Sequence, residues 1–285
     1  MPLVSTPTPT APVVSAPAFV DVVWLTHHLA DVRVIDARRM SDYLGGHIPG
    51  AVSFALDTLL VEDTSAVALE RLAGAARGAL VARGVDSATH VVLTDDADGS
   101  ASLGALVCEL AGVARVSVLL GGVDAWAALG NEVESVPRPP AAIEPEDWLV
   151  EDPGPDTRSL VSFEELAHAV KTGSANIVDA RSQLEHEGIV GAPCCADRGS
   201  IPGSVHLEWT ALFGICGEPH SAERVREIAT HLGLARDETI IFTCHAGHRA
   251  AVAARILRDA GFADVRVSLG SWHEWCTRVP RPANA

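Results

Sequence analysis

The sequence predicts an α/β protein in which one domain is written twice, each copy a small parallel sheet with helices on both faces. Three observations predict it. Val34-Ile35-Asp36-Ala37-Arg38, followed by Gly46-His47-Ile48-Pro49-Gly50-Ala51-Val52, has a counterpart in Ile177-Val178-Asp179-Ala180-Arg181, followed by Gly199-Ser200-Ile201-Pro202-Gly203-Ser204-Val205. Val91-Val92-Leu93-Thr94 matches Ile240-Ile241-Phe242-Thr243, and Leu120-Gly121-Gly122 through Trp126 matches Leu269-Gly270-Ser271 through Trp275, each pair 149 positions apart. Self-similarity at a fixed spacing marks a repeated structural unit. Short apolar runs also alternate with longer stretches of helical period, as in strands buried on both faces and joined by helices.

Taken in order, Met1 to Pro17 carries no charged side chain and is rich in Pro, Thr, Ala and Val, a composition expected of a flexible tail over residues 1–18. Structure is expected from Phe19, with a short helix from Val22 to Leu29 ahead of a strand ending at Asp36. Ser102 to Ala111 and Ser221 to Leu232 read as helices, one in each copy. The first domain is set at 19–135 and the second at 159–285. Between them, at 136–158, Pro137, Pro139, Pro140, Pro145, Pro153 and Pro155 stand among acidic residues, the pattern of a semi-rigid linker. Two copies packed through a common face should leave a cleft, a usual place for a ligand.

The chemistry is concentrated at Thr239-Ile240-Ile241-Phe242-Thr243-Cys244-His245-Ala246-Gly247-His248-Arg249-Ala250, followed by a helical run from Ala251 to Ala260. Such a strand, loop and helix place Cys244 beyond the carboxyl end of a parallel strand, where ligands of open α/β sheets bind. Loop N–H groups and the positive end of the helix dipole favour an anion there, the cysteine's own thiolate included. A thiol in that setting should titrate below the free value of about 8.5. Gly247 lets the loop curl and Arg249 adds a fixed cation. Nothing in this pattern calls for a metal or cofactor.

Cys244-His245-Ala246-Gly247-His248-Arg249 resembles the active-site loop of the rhodanese-like sulfurtransferases, Cys-x-x-Gly-x-Arg or Cys-x-x-Gly-x-Thr. Gly270-Ser271-Trp272-His273-Glu274-Trp275 is similar to the Gly-Ser-Trp-x-Glu-Trp near the C-terminus of two-domain thiosulfate and mercaptopyruvate sulfurtransferases. The resemblance implies two tandem rhodanese-like domains and a double displacement. Cys244 takes the outer sulfur of thiosulfate or a mercapto acid as a persulfide, then yields it to cyanide, a thiol or a protein acceptor of thioredoxin-like kind. His245, Ala246, Gly247, His248, Arg249 and Arg181 are the implied substrate-binding residues, with Asp179 bracing the loop and no cofactor required. Phosphatases of the same fold use a loop one residue longer, so this loop is sized for sulfur. Asp95 stands at the position of Cys244 in the first copy, and the first domain is expected to be catalytically silent.

Three features depart from the resembled pattern or stand outside it. Glu185 occupies the place of an arginine that commonly contacts the donor, and His245-Ala246 replaces both the basic pair of thiosulfate enzymes and the Gly-Ser of mercaptopyruvate enzymes. Arg198 is a candidate substitute contact. Cys194 and Cys195 fall in a stretch, Ile189 to Gly199, that the first copy lacks, and are expected to be ordinary loop cysteines. Trp272 and Trp275 are expected to serve packing. A phosphatase or arsenate reductase, and a sulfur-relay protein with little turnover, are the rival readings.

Composition sets outer limits. With 37 acidic against 21 basic residues, neither nucleic acid nor an anionic membrane is expected as main partner. No apolar run reaches the about 18 residues needed to span a bilayer. The six cysteines lack Cys-x2-Cys spacing, so neither a zinc site nor a disulfide framework is expected, and a reduced, cytoplasmic setting follows.

Overall fold

The computed structural model describes residues 16–56, 60–137, 139–140, 143, 148 and 156–279. The expected tail lies almost wholly outside the described residues, and so does most of the expected linker.

The first copy runs β1 (Phe19–Val20), α1 (Val22–His28), β2 (Arg33–Asp36), α2 (Met40–Gly45), β3 (Val52–Ser53), α3 (Ala66–Val81), β4 (His90–Thr94), α4 (Ser100–Ala111), β5 (Arg115–Leu119) and α5 (Gly122–Ala128). The second runs α6 (Phe163–Thr172), β6 (Asn176–Asp179), α7 (Gln183–His186), β7 (Val205–His206), α8 (Ala222–His231), β8 (Thr239–Thr243), α9 (His248–Asp259), β9 (Asp264–Val267) and α10 (Ser271–Arg278). Two sheets result, ordered β1-β5-β4-β2-β3 and β7-β6-β8-β9, with every strand pair parallel. Leu160 bridges Val267 in the place β1 holds beside β5, so the repeat extends to the sheet edge.

The central strands β4 and β8 are buried beyond their first residue, which is why their sequences are nearly all β-branched or aliphatic. Helix α9 begins three residues earlier than periodicity suggests, at His248, because Gly247 takes a left-handed φ of +88° and turns the strand directly into the helix. Gly99, at φ +90°, does the same for α4. The two loops are not in strict register: three residues separate Asp95 from Gly99, but two separate Cys244 from Gly247.

The copies pack through the helices that follow these loops. Leu103, Leu106 and Leu110 of α4 share one core with Val252 and Ile256 of α9. Arg255 of α9 crosses to the first copy, where its guanidinium pairs with Glu109 at 2.7 Å and donates to the carbonyls of Ala18 and Val116. A second bolt is buried Glu274 of α10, which accepts from the Thr64 backbone N–H at 3.1 Å and the Thr64 hydroxyl at 2.6 Å, and pairs with Arg278 at 2.9 Å. Gly270 is required beneath it, since a Cβ there would lie 2.1 Å from a Glu274 carboxylate oxygen. Glu274→Ala strips two buried donors of their acceptor and should lower unfolding free energy by about 2 kcal/mol or more, read as a lower denaturant midpoint. An unchanged midpoint would show that the contact contributes nothing.

Candidate active site

Cys244 follows the last residue of β8. Its backbone N–H donates to the Ser271 hydroxyl at 3.0 Å, and its carbonyl accepts from Trp272 N–H at 3.0 Å. Ser271 itself holds φ +48° and donates to the Ser268 carbonyl at 2.5 Å, so the segment opening α10 clamps the cysteine's backbone. Sequence reasoning missed Ser271, although its place within Gly270-Ser271-Trp272 was the available signal. The Cys244 side chain is 1% exposed and its sulfur accepts the Gly247 N–H at 3.1 Å, so it is turned into the loop although shielded from solvent. Cys108, in the middle of α4, is the contrast: burial pushes its thiol up to about 12, as expected of an inert packing residue.

Arg249 does not hang free beside the sulfur. Its two terminal nitrogens grip the Glu185 carboxylate at 2.6 and 2.9 Å. Burial would lower the Arg249 pKa, but the Glu185 bond and the nearby charge of Cys244 raise it, so the cation is fixed. Glu185 is thereby explained. The charge reversal supplies a partner for the loop arginine, and the same carboxylate accepts from Ser182 in a capping box at the start of α7. Burial alone would raise the Glu185 carboxyl; the Arg249 bond and charge override it and hold it down to about 2, against an ordinary 4.5. The pair therefore stabilises the fold fully above about pH 4.5 and progressively less as pH falls toward 2. Glu185→Gln should flatten the acid limb of the stability curve across that interval, and an unaltered limb would contradict this linkage.

Arg181, which the resemblance implies as a substrate contact, is engaged by partners inside the protein. Its Nε and Nη2 bond to Asp179, down to 2.6 Å, and Nη2 also donates to the Gly199 carbonyl at 2.7 Å, with the guanidinium stacked 5.1 Å from the Trp272 ring. Arg38 makes the same set with Asp36 and the Gly46 carbonyl in the first copy, which lacks the cysteine. Both are buried ion pairs, each closing the end of a parallel strand. Trp272 and Trp275 lie in the second copy's core with Phe163 and Ile241, as packing requires.

The histidines separate into two kinds. His248 faces the Leu56 carbonyl of the first copy at 3.0 Å with one ring nitrogen and the Ala246 carbonyl at 3.2 Å with the other, so it joins the copies. Ala246 is half-buried on the loop's outer turn. His245 is held below the ordinary imidazole value by burial, then by the charges of His273 and Arg249. Its Nε2 lies 3.2 Å from the Cys194 sulfur, and Cys195 stands 3.8 Å from Nδ1 of His273. The inserted cysteines, expected to be ordinary loop residues, thus lie against His245 of the Cys244 loop and His273 of α10. Sequence spacing gave no hint of it, since the partners lie 51 and 78 positions away. Arg198 points back to the Ile189 carbonyl at 3.2 Å.

In the first copy the loop is filled by its own side chain. The Asp95 carboxylate accepts from the N–H groups of Ala97 at 3.0 Å, Gly99 at 3.1 Å and Ala101 at 2.9 Å. A cavity between the copies lies on this side. Of about 210 Å³, it is bordered by Asp95, Gly99, Phe19, Trp209, Phe213 and Val252, and Cys244 does not line it.

The chain is a tandem pair of rhodanese-like domains and belongs to that family, whose model matches residues 21–129 and again 162–278. It is similar to the 3-mercaptopyruvate sulfurtransferase of Escherichia coli K12, 29% identical with 93% of this chain and 96% of that protein covered, and to the thiosulfate sulfurtransferase of Azotobacter vinelandii, 30% identical with 68% and 69% covered. A solved 3-mercaptopyruvate sulfotransferase from Escherichia coli superposes with a TM-score of 0.71 at 27% identity, over 90% of this chain and 99% of that one. The fold is shared as well by EanB structures, for example at TM-score 0.79 and 22% identity over 93% of this chain and 69% of that chain. Among the described residues no helix is long and apolar enough to cross a membrane.

Proposed function

We propose that this chain is a sulfurtransferase in which Cys244 accepts the outer sulfur of thiosulfate as a persulfide and passes it to cyanide or a thiol. The Cys244 thiolate attacks the sulfane sulfur, the S–S bond of thiosulfate breaks, and sulfite leaves with the electron pair of that bond. The acceptor then attacks the outer sulfur and regenerates the thiolate, so no external oxidant or reductant is consumed.

The observation that carries this reading is the sulfur of Cys244 turned toward the Gly247 N–H at the start of a twelve-residue helix. Asp95 supports it from the other copy. A persulfide's outer sulfur is as many bonds from Cα as a carboxylate oxygen, so the Asp95 carboxylate occupies the corresponding loop as a persulfide anion would occupy the ring at Cys244. Its three N–H donors indicate how many contacts such a loop can offer. Gly247 and the helix-opening N–H groups of α9 hold the anionic sulfur, and Arg249, locked by Glu185, holds the loop in shape and supplies positive charge. The first domain is silent because its anion site is already filled. It shields the second site by contributing Leu56 to His248 and Thr64 to Glu274.

Mercaptopyruvate is the second reading for the donor, favoured by the near full-length match to the Escherichia coli enzyme. Six free cysteines support a reducing, cytoplasmic setting as part of this reading. Incubation of the reduced protein with each donor separately, followed by intact mass and steady-state transfer to cyanide and to a thiol, tests both readings. A gain of one sulfur with thiosulfate and turnover to cyanide is expected. No gain with either donor would remove the proposal, and a gain with mercaptopyruvate alone would replace the donor.

A further inference from the structure

The excursion from Ile189 to Gly199 brings Cys194 and Cys195 together with His245 and His273, and their four ligating atoms all lie within 4.8 Å of one another. We propose that these four side chains form a tetrahedral site for a thiophilic cation of the zinc class. Zinc bonds of about 2.3 Å to sulfur and about 2.0–2.1 Å to nitrogen imply tetrahedral ligand-to-ligand edges of about 3.3–3.8 Å. The Cys194 sulfur is 3.2 Å from His245 Nε2, and the Cys195 sulfur is 3.8 Å from His273 Nδ1, so closure around an ion needs adjustments of a few tenths of an ångström to about 1 Å. Two thiolates and two imidazoles suit zinc and reject magnesium and calcium, which prefer oxygen.

The backbone under the four ligands is already held. His273 N–H donates to the His245 carbonyl at 3.0 Å, which fixes the spacing of the two imidazoles, and Cys195 N–H closes a turn onto the Ala192 carbonyl at 3.0 Å. The far nitrogen of His273 stands 3.9 Å from a carboxylate oxygen of Glu62, beside the position where an outer carboxylate commonly orients a metal-binding imidazole. Three separate segments supply the ligands, namely the excursion, the loop after β8 and the start of α10. That dispersal is why Cys-x2-Cys spacing is missing and why no metal is expected from the sequence. A bound ion would tie the excursion to the residue next to Cys244.

The site does not depend on Cys244 carrying sulfur, and the test keeps the two apart. Tag-free, fully reduced protein is titrated with cobalt(II) and, separately, with zinc(II) by calorimetry. Wild type should bind one equivalent, giving the intense d–d absorption of tetrahedral cobalt together with thiolate charge-transfer bands. Cys244→Ala should bind as wild type does. The double variant Cys194→Ser with Cys195→Ser should bind at least 100-fold more weakly and lose the charge-transfer bands, as should His273→Ala; circular dichroism checks that each remains folded. Zinc should raise the Tm of wild type and Cys244→Ala and leave the double variant unmoved. Octahedral cobalt in wild type, undiminished affinity in the double variant, or loss of binding in Cys244→Ala would each overturn the assignment.

Discussion

Cys244→Ser is expected to abolish sulfur gain on incubation with thiosulfate or mercaptopyruvate and to lower transfer turnover by about four orders of magnitude, with the fold intact. A serine hydroxyl is a poor nucleophile toward sulfur and cannot hold a transferable sulfane atom, so the covalent route is removed as a whole. The fold should tolerate the change because the structural duties around the residue belong to its backbone, bonded to Ser271 and Trp272. Intact mass, thiocyanate formation and circular dichroism on the same sample separate loss of chemistry from loss of structure. Retained turnover in this variant would remove Cys244 from the mechanism.

Asp179→Ala is expected to cost about 3–5 kcal/mol of unfolding free energy, because it leaves the Arg181 guanidinium buried without its counter-charge. Asp179 is 1% exposed and Arg181 3%, so water cannot substitute for the lost partner. The measurement is the denaturant midpoint at constant slope, with Asp36→Ala as the internal control. Asp36 and Arg38 form the same buried pair in the copy without a cysteine, and a comparable loss there would show that the pair serves the fold. A large loss of activity at unchanged stability in Asp179→Ala would instead return the pair to the chemistry.

Much of the architecture was legible because duplication writes the same physical constraint twice. The apolar strands, the Asp-x-Arg ends of β2 and β6, and the loop glycine next to a nucleophile are local patterns, and each corresponds to an observed element. Asp95 in place of a cysteine was plain in the sequence, whereas its carboxylate filling the ring of loop N–H groups was not. The one-residue slip between the loops escaped notice because the strands on either side of each loop-and-helix unit keep a constant spacing.

The site's other residues were not legible, for a common reason. Glu185 looked like a lost donor contact, but α7 carries it to Arg249, 64 positions away. The partners of Arg181, Asp179 and the Gly199 carbonyl 18 positions away, were not readable from spacing. His248 proved to be engaged by the first copy, and Cys194 and Cys195 met His245 and His273 across gaps no spacing rule describes.

The sequence by itself determined the doubled α/β fold, the family and the place of Cys244 at the end of a parallel strand, because strand periodicity, helix entry and loop size are set by residues adjacent in the chain. Only the tertiary structure decided which charges pair, which histidines are free and where the inserted cysteines fall. Those outcomes depend on distances between segments far apart in sequence, fixed by how α4 packs on α9 and where α10 closes over the end of β8.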